Sequence, residues 1–203
     1  MKVNTNHWNK IRYTFYQPFY DIMTGIFKSY RKKSINQLAL NSNDKILILG
    51  AGTGLDLPFL KNQKNITAID ITPSMLKKLD KRGKKYQLNV DSHVMDGQNL
   101  AFENNTFDCV ILHLVIAVIP DPVKTIQEVE RVLKPNGKYT ILDKFISKNS
   151  HPSFIRKLLN PITNFLFSNI NRDIHKIISN TNLIIKNEQN LNLSFKIIQG
   201  IKP

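Results

Sequence analysis

Three glycines at alternate positions follow the first strongly apolar stretch of the chain. Gly50, Gly52 and Gly54 stand directly after the run 45–49. Glycines at such a point allow a tight turn and let the backbone approach a ligand closely. We expect a helix to follow, so that its first amides face the ligand. The turn alone is a weak signal, because any tight strand-to-helix connection also favours glycine.

Two carboxylates end the next two strand-like runs and suit a nucleoside ligand. Asp70 stands about 20 residues after the first glycine, where a carboxylate meets ribose hydroxyls in dinucleotide sites. Asp96 could accept a hydrogen bond from an adenine amino group, and Gly97 leaves room for the ring. The simpler alternatives are a helix cap for Asp70 and an ordinary turn for Asp96-Gly97. A dinucleotide fingerprint would want its third glycine where Leu55 stands.

The elements that must position these residues alternate between strands and helices. Apolar runs predict strands at 45–49, 65–70, 87–95, 107–114 and 138–143, helices from Pro73 and over 123–133, and closing antiparallel strands at 183–185 and 191–198. This alternation predicts an α/β fold with a mostly parallel sheet and helices on both faces. Ligands of such sheets bind at the carboxyl ends of the strands.

Charge and cysteine content limit the compartment and the partners. The chain has 203 residues, a formal net charge of +14 and one cysteine, Cys109. No internal disulfide can form, no secretory signal is visible, and the longest apolar run is shorter than the roughly 20 residues of a membrane span. We therefore expect a cytoplasmic protein, peripheral at the inner face of the membrane. The charge favours an anionic membrane or a nucleic acid, or reflects a basic composition without any partner.

An aromatic and basic leader segment, residues 6–40, precedes the first strand. Its apolar stripe at helical spacing comprises Ile11, Phe15, Phe19, Ile22, Ile26 and Tyr30, and its cations include Lys10, Arg12, Lys28, Arg31, Lys32 and Lys33. Aromatic residues beside Lys and Arg favour an anionic membrane interface. The alternative is that the stripe packs on the core as a lid. A second stripe at 154–166, with Arg156 and Lys157 beside it, is expected to cover the substrate.

In combination these runs resemble the class I methyltransferases that use S-adenosylmethionine. The resemblance rests on the stretches 46–54, 68–76, 96–100 with 107–110, and 128–137, in the expected order. It implies a Rossmann-like methyltransferase fold, with a seven-stranded sheet, an antiparallel last strand and S-adenosylmethionine as cofactor. Residues 1–203 would then form one methyltransferase domain, with a lid or membrane-contact segment (1–40), a cofactor-binding core (45–146), a substrate-covering insert (147–180) and closing strands (181–203).

The resemblance also implies a set of site residues. Those expected to bind the cofactor are Gly50, Ala51, Gly52, Thr53, Gly54, Asp70, Ile71, Met75, Asp96, Gly97 and His113. Tyr20 and His113 are the candidate catalytic residues at the mouth, and Asp21 and His151 are further polar candidates. For these four, packing or an ion pair within the fold is the simpler explanation, and no general base is assigned. The family usually has Asp or Glu where this chain has Ile48, which puts one contact to the methionine end of the cofactor in doubt.

Within the class, the chain most resembles bacterial phosphatidylethanolamine N-methyltransferases, in the stretches 52–58 and 115–122 and in Tyr20-Asp21. Ubiquinone and menaquinone methyltransferases share much of the pattern. The first hypothesis is therefore methyl transfer to a phospholipid headgroup amine at an anionic membrane surface. The second hypothesis is methyl transfer to a quinone precursor or another small molecule. The third hypothesis, motivated by Ile48, is a cofactor-binding protein without turnover. Nucleic acid ranks below lipid, because neither a zinc-ligand spacing nor another recognition motif is present.

Overall fold

A seven-stranded sheet forms the centre of the protein, seen here in a computed structural model that describes residues 5–16, 19–146 and 169–203. Its strands are β1 (Lys45–Leu49), β2 (Asn65–Asp70), β3 (Val90–Val94), β4 (Phe107–His113), β5 (Leu133–Lys144), β6 (Ile184–Asn190) and β7 (Phe195–Ile201). They lie in the order β3-β2-β1-β4-β5-β7-β6. The first five strands in this order pair in parallel, and β7 runs antiparallel to both β5 and β6. The predicted fold class is confirmed.

Helices cover both faces of this sheet. They are α1 (Asn6–Tyr16), α2 (Tyr20–Gly25), α3 (Lys28–Asn36), α4 (Pro73–Lys85), α5 (Pro122–Val132) and α6 (Ile174–Ile178), with short 3-10 helices at Leu57–Phe59 and Asn192–Ser194. Apolar residues of α5 and α6 pack on one face, and those of α3 and α4 pack on the other. Because β1 is covered on both sides, its sequence is continuously apolar rather than alternating, and Ile46 to Leu49 are at most 1% exposed.

Some predicted elements differ from the observed ones. No α-helix follows β1, so the expectation that helix amides face a ligand there is wrong. A 3-10 helix stands at Leu57–Phe59 instead, since Pro58 lacks an amide hydrogen and Asp56 turns inward to a buried ion pair. β5 begins at Leu133 rather than residue 138, because α5 passes directly into it. β3 is confined to Val90–Val94.

In the leader segment, α1 and α2 lie over the carboxyl edge of the sheet, and α3 packs on one of its faces. Asn9, Arg12, Arg31 and Ser34 are buried against the protein, whereas most of the apolar stripe faces outward. The exposed members are Ile11 (48%), Phe15 (78%), Phe19 (65%), Ile22 (78%) and Ile26 (74%). The alternative that the stripe packs on the core as a lid is therefore wrong for these five residues. The predicted second stripe and His151 lie outside the described residues.

Candidate functional site

The turn after β1 has the close packing that its glycines allow. Gly50 and Gly52 adopt φ angles of +69° and +55°, which side-chain-bearing residues rarely adopt. A Cβ atom on Gly50 would lie 2.5 Å from Cγ2 of Val115, too close for any other residue. The amide of Gly52 donates to Oδ2 of Asp70 at 2.9 Å. The turn is therefore tied to the end of the neighbouring strand β2.

Asp70 holds this turn with one oxygen and the start of α4 with the other. Its Oδ1 accepts a hydrogen bond from the amide of Thr72 at 2.8 Å. Burial raises the pKa of the Asp70 carboxyl, although the amides of Thr72 and Gly52 oppose that rise. A carboxylate accepts up to about four hydrogen bonds. It therefore retains capacity for ligand hydroxyls.

Asp96 joins the leader segment to the end of β3. Nδ2 of Asn6 in α1 donates to Oδ2 of Asp96 at 2.6 Å, and the amide of Gln98 donates to Oδ1 at 3.0 Å. Because Asn6 lies 90 positions earlier in the chain, this bond fixes the start of α1 over the carboxyl edge of the sheet. Asn9, one helical turn later, donates from Nδ2 to the backbone oxygen of Val118 at 3.1 Å.

These elements enclose an open cavity of about 610 Å³, the first cavity. Its walls consist of Asn6, Asn9, Tyr13, Tyr20, Leu49, Gly50, Gly52, Asp70, Ile71, Met75, Asp96, Gly97, Leu114, Val115, Val118 and Ile119. The walls combine two carboxylates, glycine backbone and apolar side chains. This chemistry fits a nucleoside: the carboxylates can accept from its hydroxyl and amino groups, and the apolar walls can contact its base. A Cβ atom on Gly97 would lie 2.8 Å from Cδ2 of Leu49, so this wall is tightly packed.

Most of the predicted cofactor residues line this cavity. Gly50, Gly52, Asp70, Ile71, Met75, Asp96 and Gly97 do so, and so does the candidate catalytic residue Tyr20. Burial raises the pKa of Tyr20 to about 12, so its phenol stays protonated and can donate. Ala51, Thr53 and Gly54 lie outside the lining.

Hydrogen bonds of Asp21 to Thr53 and Arg82, together called the Asp21 latch, join the leader segment to the glycine turn. Oγ1 of Thr53 donates to Oδ1 of Asp21 at 2.5 Å, and Nη2 of Arg82 donates to Oδ2 at 2.6 Å. Burial alone would raise the pKa of Asp21, but the bonds from Thr53 and Arg82 hold it below its ordinary value. Asp21 therefore has the role of an ion-pair residue in the fold, as the simpler explanation expected.

His113 lies behind the cavity and does not line it. Its side chain is 0% exposed. Nδ1 lies 2.7 Å from Oδ1 of Asp56, and Nε2 lies 2.9 Å from Oγ of Ser34, which also contacts Thr140. Both ring nitrogens are thus engaged by protein groups. The expectation that His113 contacts the cofactor and acts at the mouth is wrong. The ring lies inside the protein because it is hydrogen-bonded to the buried carboxylate of Asp56.

A second cavity of about 730 Å³ adjoins the first. The two share Tyr13, Tyr20, Leu114 and Val118, and the second is also lined by Tyr16, Thr24, Phe27, Ala117, Asp143, Lys144 and Phe195. The rings of Tyr13 and Tyr20 meet edge to face at 6.2 Å. A molecule in either cavity would therefore touch the same pair of tyrosines.

Asp143 is the carboxylate of the second cavity. It is 1% exposed and accepts hydrogen bonds from the amides of Ala117 and Lys144, each at 2.8 Å. Burial raises the pKa of Asp143, while these amides and the charge of Lys144 oppose the rise. Within the described residues, no group of three His, Cys, Asp or Glu side chains could hold a metal ion.

Sequence reasoning missed Asn6, Asn9 and Tyr13 of α1, and Asp143. The three leader residues follow helical spacing and so share one face of α1, but the outward apolar stripe dominated the interpretation of that helix. Asp143 lies near the carboxyl end of β5. The rule that ligands bind at carboxyl ends of strands would have selected it.

Comparison with known proteins finds a family match in the core of the chain. Residues 47–141 match the family described as "Methyltransferase domain". A phosphatidylethanolamine N-methyltransferase of Cereibacter sphaeroides is 28% identical over 124 residues, 60% of this chain and 61% of that protein. A demethylmenaquinone methyltransferase of Lactobacillus johnsonii is 31% identical over 137 residues, 62% of this chain and 56% of that protein. The chain thus spans less than two thirds of either relative.

Solved structures share the fold of this chain. The crystal structure of geranyl diphosphate C-methyltransferase from Streptomyces coelicolor superposes with a TM-score of 0.72. The superposition covers 86% of this chain and 79% of that chain, at 13% sequence identity. The two proteins therefore have a common fold.

Proposed function

We propose that the chain is a class I S-adenosylmethionine-dependent methyltransferase and that it methylates a phospholipid headgroup amine of the phosphatidylethanolamine type at a membrane surface. The cofactor would occupy the first cavity, with Gly50 and Gly52 beside its methionine and ribose, Asp70 at the ribose and Asp96 at the adenine. When bound, it supplies a methyl group activated by a sulfonium. The protein has to align that group with an acceptor and exclude water.

The two cavities share part of their lining, and this supports methyl transfer at the place where they meet. An acceptor in the second cavity would meet the cofactor beside Tyr13 and Tyr20. Residues of the leader segment line both cavities, and the segment is held by the Asn6–Asp96 bond and by the Asp21 latch. Such fixed walls supply the alignment that a displacement reaction needs.

The lining of the second cavity supports an amine as acceptor. The carboxylate of Asp143 and the aromatic rings of Tyr13, Tyr16, Tyr20, Phe27 and Phe195 line the same cavity. Aromatic faces and a carboxylate both attract an ammonium group. The amine must lose a proton before attack, and a carboxylate whose pKa is raised is a better base. Asp143 would accept this proton first, and the freed nitrogen lone pair would then form the nitrogen–methyl bond as the sulfur–methyl bond breaks.

The outward apolar stripe of the leader segment is the observation that carries the membrane assignment. Phe15 and Ile22 are each 78% exposed, although phenylalanine and isoleucine are usually buried. Exposed cations flank the stripe: Lys10, Lys28, Lys32 and Lys33. Aromatic and apolar residues beside lysines suit an anionic bilayer interface. Among the described helices, none is both long and apolar enough to cross a membrane.

A quinone precursor is the second candidate acceptor. The relative from Lactobacillus johnsonii is a demethylmenaquinone methyltransferase, and the aromatic walls of the second cavity could also contact a planar ring. The charge of Asp143 would attract an ammonium group but not a neutral ring, which favours the amine. Binding without turnover is the third candidate, motivated by the apolar Ile48, which is 1% exposed.

Methyl transfer from labelled S-adenosylmethionine separates the three candidates. The protein is incubated with vesicles of phosphatidylethanolamine and phosphatidylglycerol, or with demethylmenaquinone reduced to its quinol in the same vesicles, and the products are separated by thin-layer chromatography. Label in the phospholipid supports the proposal, and label only in the quinone supports the second candidate. If S-adenosylhomocysteine binds in calorimetry but neither acceptor is labelled, the protein binds the cofactor without turnover.

A further inference from the structure

Asn9 of α1 lines the first cavity, and one end of its side-chain amide has no hydrogen-bond partner among the described residues. The residue is 5% exposed and belongs to the same lining as Asp70 and Asp96. Its Nδ2 donates to the backbone oxygen of Val118 at 3.1 Å. Because a carbonyl oxygen can only accept, this bond fixes which end of the amide faces Val118. The side-chain oxygen of Asn9 must then face away from Val118.

That oxygen is left without a hydrogen bond. Oδ1 of Asn9 is buried and has no partner among the described residues. A buried acceptor without a donor destabilises a protein, so such atoms are rare unless a ligand completes them. The carboxylates of the same cavity differ, since Asp70 and Asp96 each accept hydrogen bonds from protein donors.

We propose that Asn9 is a cofactor-binding residue whose Oδ1 accepts a hydrogen bond from an amino group of S-adenosylmethionine. This inference rests on the proposed function, since it requires the cofactor in the first cavity. The cofactor offers two nitrogen donors, the 6-amino group of adenine and the α-ammonium group of methionine. Either one would satisfy Oδ1 while Nδ2 stays on Val118. The leader segment would then be a part of the cofactor site as well as its cover.

Calorimetry with three ligands tests the inference. They are S-adenosylhomocysteine, its inosine analogue, which carries a 6-oxo group in place of the amino group, and its deamino analogue, which lacks the α-amino group. Each is titrated into the wild-type protein and into Asn9→Leu, which has a side chain of similar size without an acceptor. We expect Asn9→Leu to bind S-adenosylhomocysteine about 10-fold more weakly. For the analogue that lacks the donor group, the affinities of the variant and of the wild type should agree within about twofold. The analogue that shows this agreement identifies the donor.

Controls separate a direct contact from a misplaced helix. Asn36→Leu makes the same change at an exposed helix position and should bind all ligands as the wild type does. Asn9→Ala repeats the comparison with a smaller side chain, in case leucine is not accommodated. An equal loss of affinity for all three ligands in both Asn9 variants would overturn the inference and make Asn9 a packing residue. Failure of the wild type to bind S-adenosylhomocysteine would instead contradict the proposed function itself.

Discussion

The guanidinium of Arg31 lies against the carboxylate of Asp56, with Nη1 2.9 Å from Oδ1 and 2.8 Å from Oδ2. The two side chains are only 5% and 2% exposed. This pair ties α3 of the leader segment to the chain just after the glycine turn. The sequence had suggested Arg31 as a membrane-facing cation. Its burial removes it from that role and leaves Lys28, Lys32 and Lys33 as the exposed cations of α3.

Loss of Arg31 should destabilise the fold strongly. Arg31→Met leaves the charge of Asp56 buried without its cation, which typically lowers the free energy of unfolding by about 3–5 kcal/mol. Urea denaturation followed by circular dichroism measures the change. Lys32→Met, at the exposed neighbouring position, should change the stability by less than about 0.5 kcal/mol. Equal stabilities of the two variants would show that the pair contributes nothing.

The carboxylate of Asp56 should also make the free energy of unfolding depend on pH. Burial alone would raise the pKa of Asp56, but the charges of Arg31 and His113 and their hydrogen bonds hold it well below its ordinary value. A carboxyl with a lower pKa in the folded state contributes stability above its unfolded pKa of about 3.9, and this contribution is lost as the pH falls further. The wild type should therefore lose stability more steeply than Asp56→Asn on acidification below about pH 5. Parallel pH profiles of the urea midpoint would contradict this assignment.

Local patterns were sufficient for the central strands. The bounds of β1 and β2 were predicted as observed, because each is an apolar run that ends at a glycine or an aspartate. The helix predicted after β1 is absent for a reason that no local pattern carries. Asp56 turns inward toward Arg31, which lies 25 positions earlier, and toward His113, which lies 57 positions later.

The candidate site was predictable where it follows the strands. The glycine turn, Asp70 and Asp96 stand at the ends of strands, and their positions in the sequence place them on one edge. The part supplied by α1 was not predictable. Asn6 meets Asp96 and Asn9 meets Val118 across 90 and 109 positions, and only the folded leader segment brings these groups together.

Removal of the Asp70 carboxylate should weaken cofactor binding. Asp70→Ala removes the charged acceptor proposed for the ribose and also frees the amides of Gly52 and Thr72. We expect the affinity for S-adenosylhomocysteine to fall at least 10-fold, as a hydrogen bond to a charged group contributes about 1.5–3 kcal/mol. Calorimetry measures the change. Asp91→Ala, which removes an exposed carboxylate on β3, should leave the affinity unaltered. Equal affinities of the two variants would exclude Asp70 from the site.

Asp143 should affect the reaction without affecting the cofactor. Asp143→Asn keeps the shape of the side chain but removes the proposed proton acceptor, so kcat on phosphatidylethanolamine should fall about 100-fold or more. The Kd for S-adenosylhomocysteine should not change, because Asp143 lines the second cavity alone. The test combines a methyl-transfer assay across pH with calorimetry. An unchanged kcat and pH profile would exclude Asp143 as the base.

Membrane binding should depend on both lysines and apolar side chains of the leader segment. Each basic residue near an anionic surface contributes about 1 kcal/mol, so Lys32→Gln/Lys33→Gln should weaken binding to phosphatidylglycerol-containing vesicles by about 2 kcal/mol. Added salt should reduce this contribution, because charges are screened over about 10 Å at 0.1 M salt. Vesicle sedimentation across a salt series measures both effects. Lys176→Gln/Lys186→Gln, which removes exposed lysines of α6 and β6, is the matched control.

The apolar stripe should account for the binding that remains in salt. Phe15 and Ile22 are both 78% exposed, so replacing them with serine removes apolar surface without opening the core. Phe15→Ser/Ile22→Ser should therefore abolish the salt-resistant binding while leaving the thermal stability and the affinity for S-adenosylhomocysteine near those of the wild type. If this variant and the wild type bind vesicles equally at high salt, the stripe does not enter the bilayer. If the wild type ignores anionic vesicles even at low salt, a small-molecule acceptor becomes the better account of the second cavity.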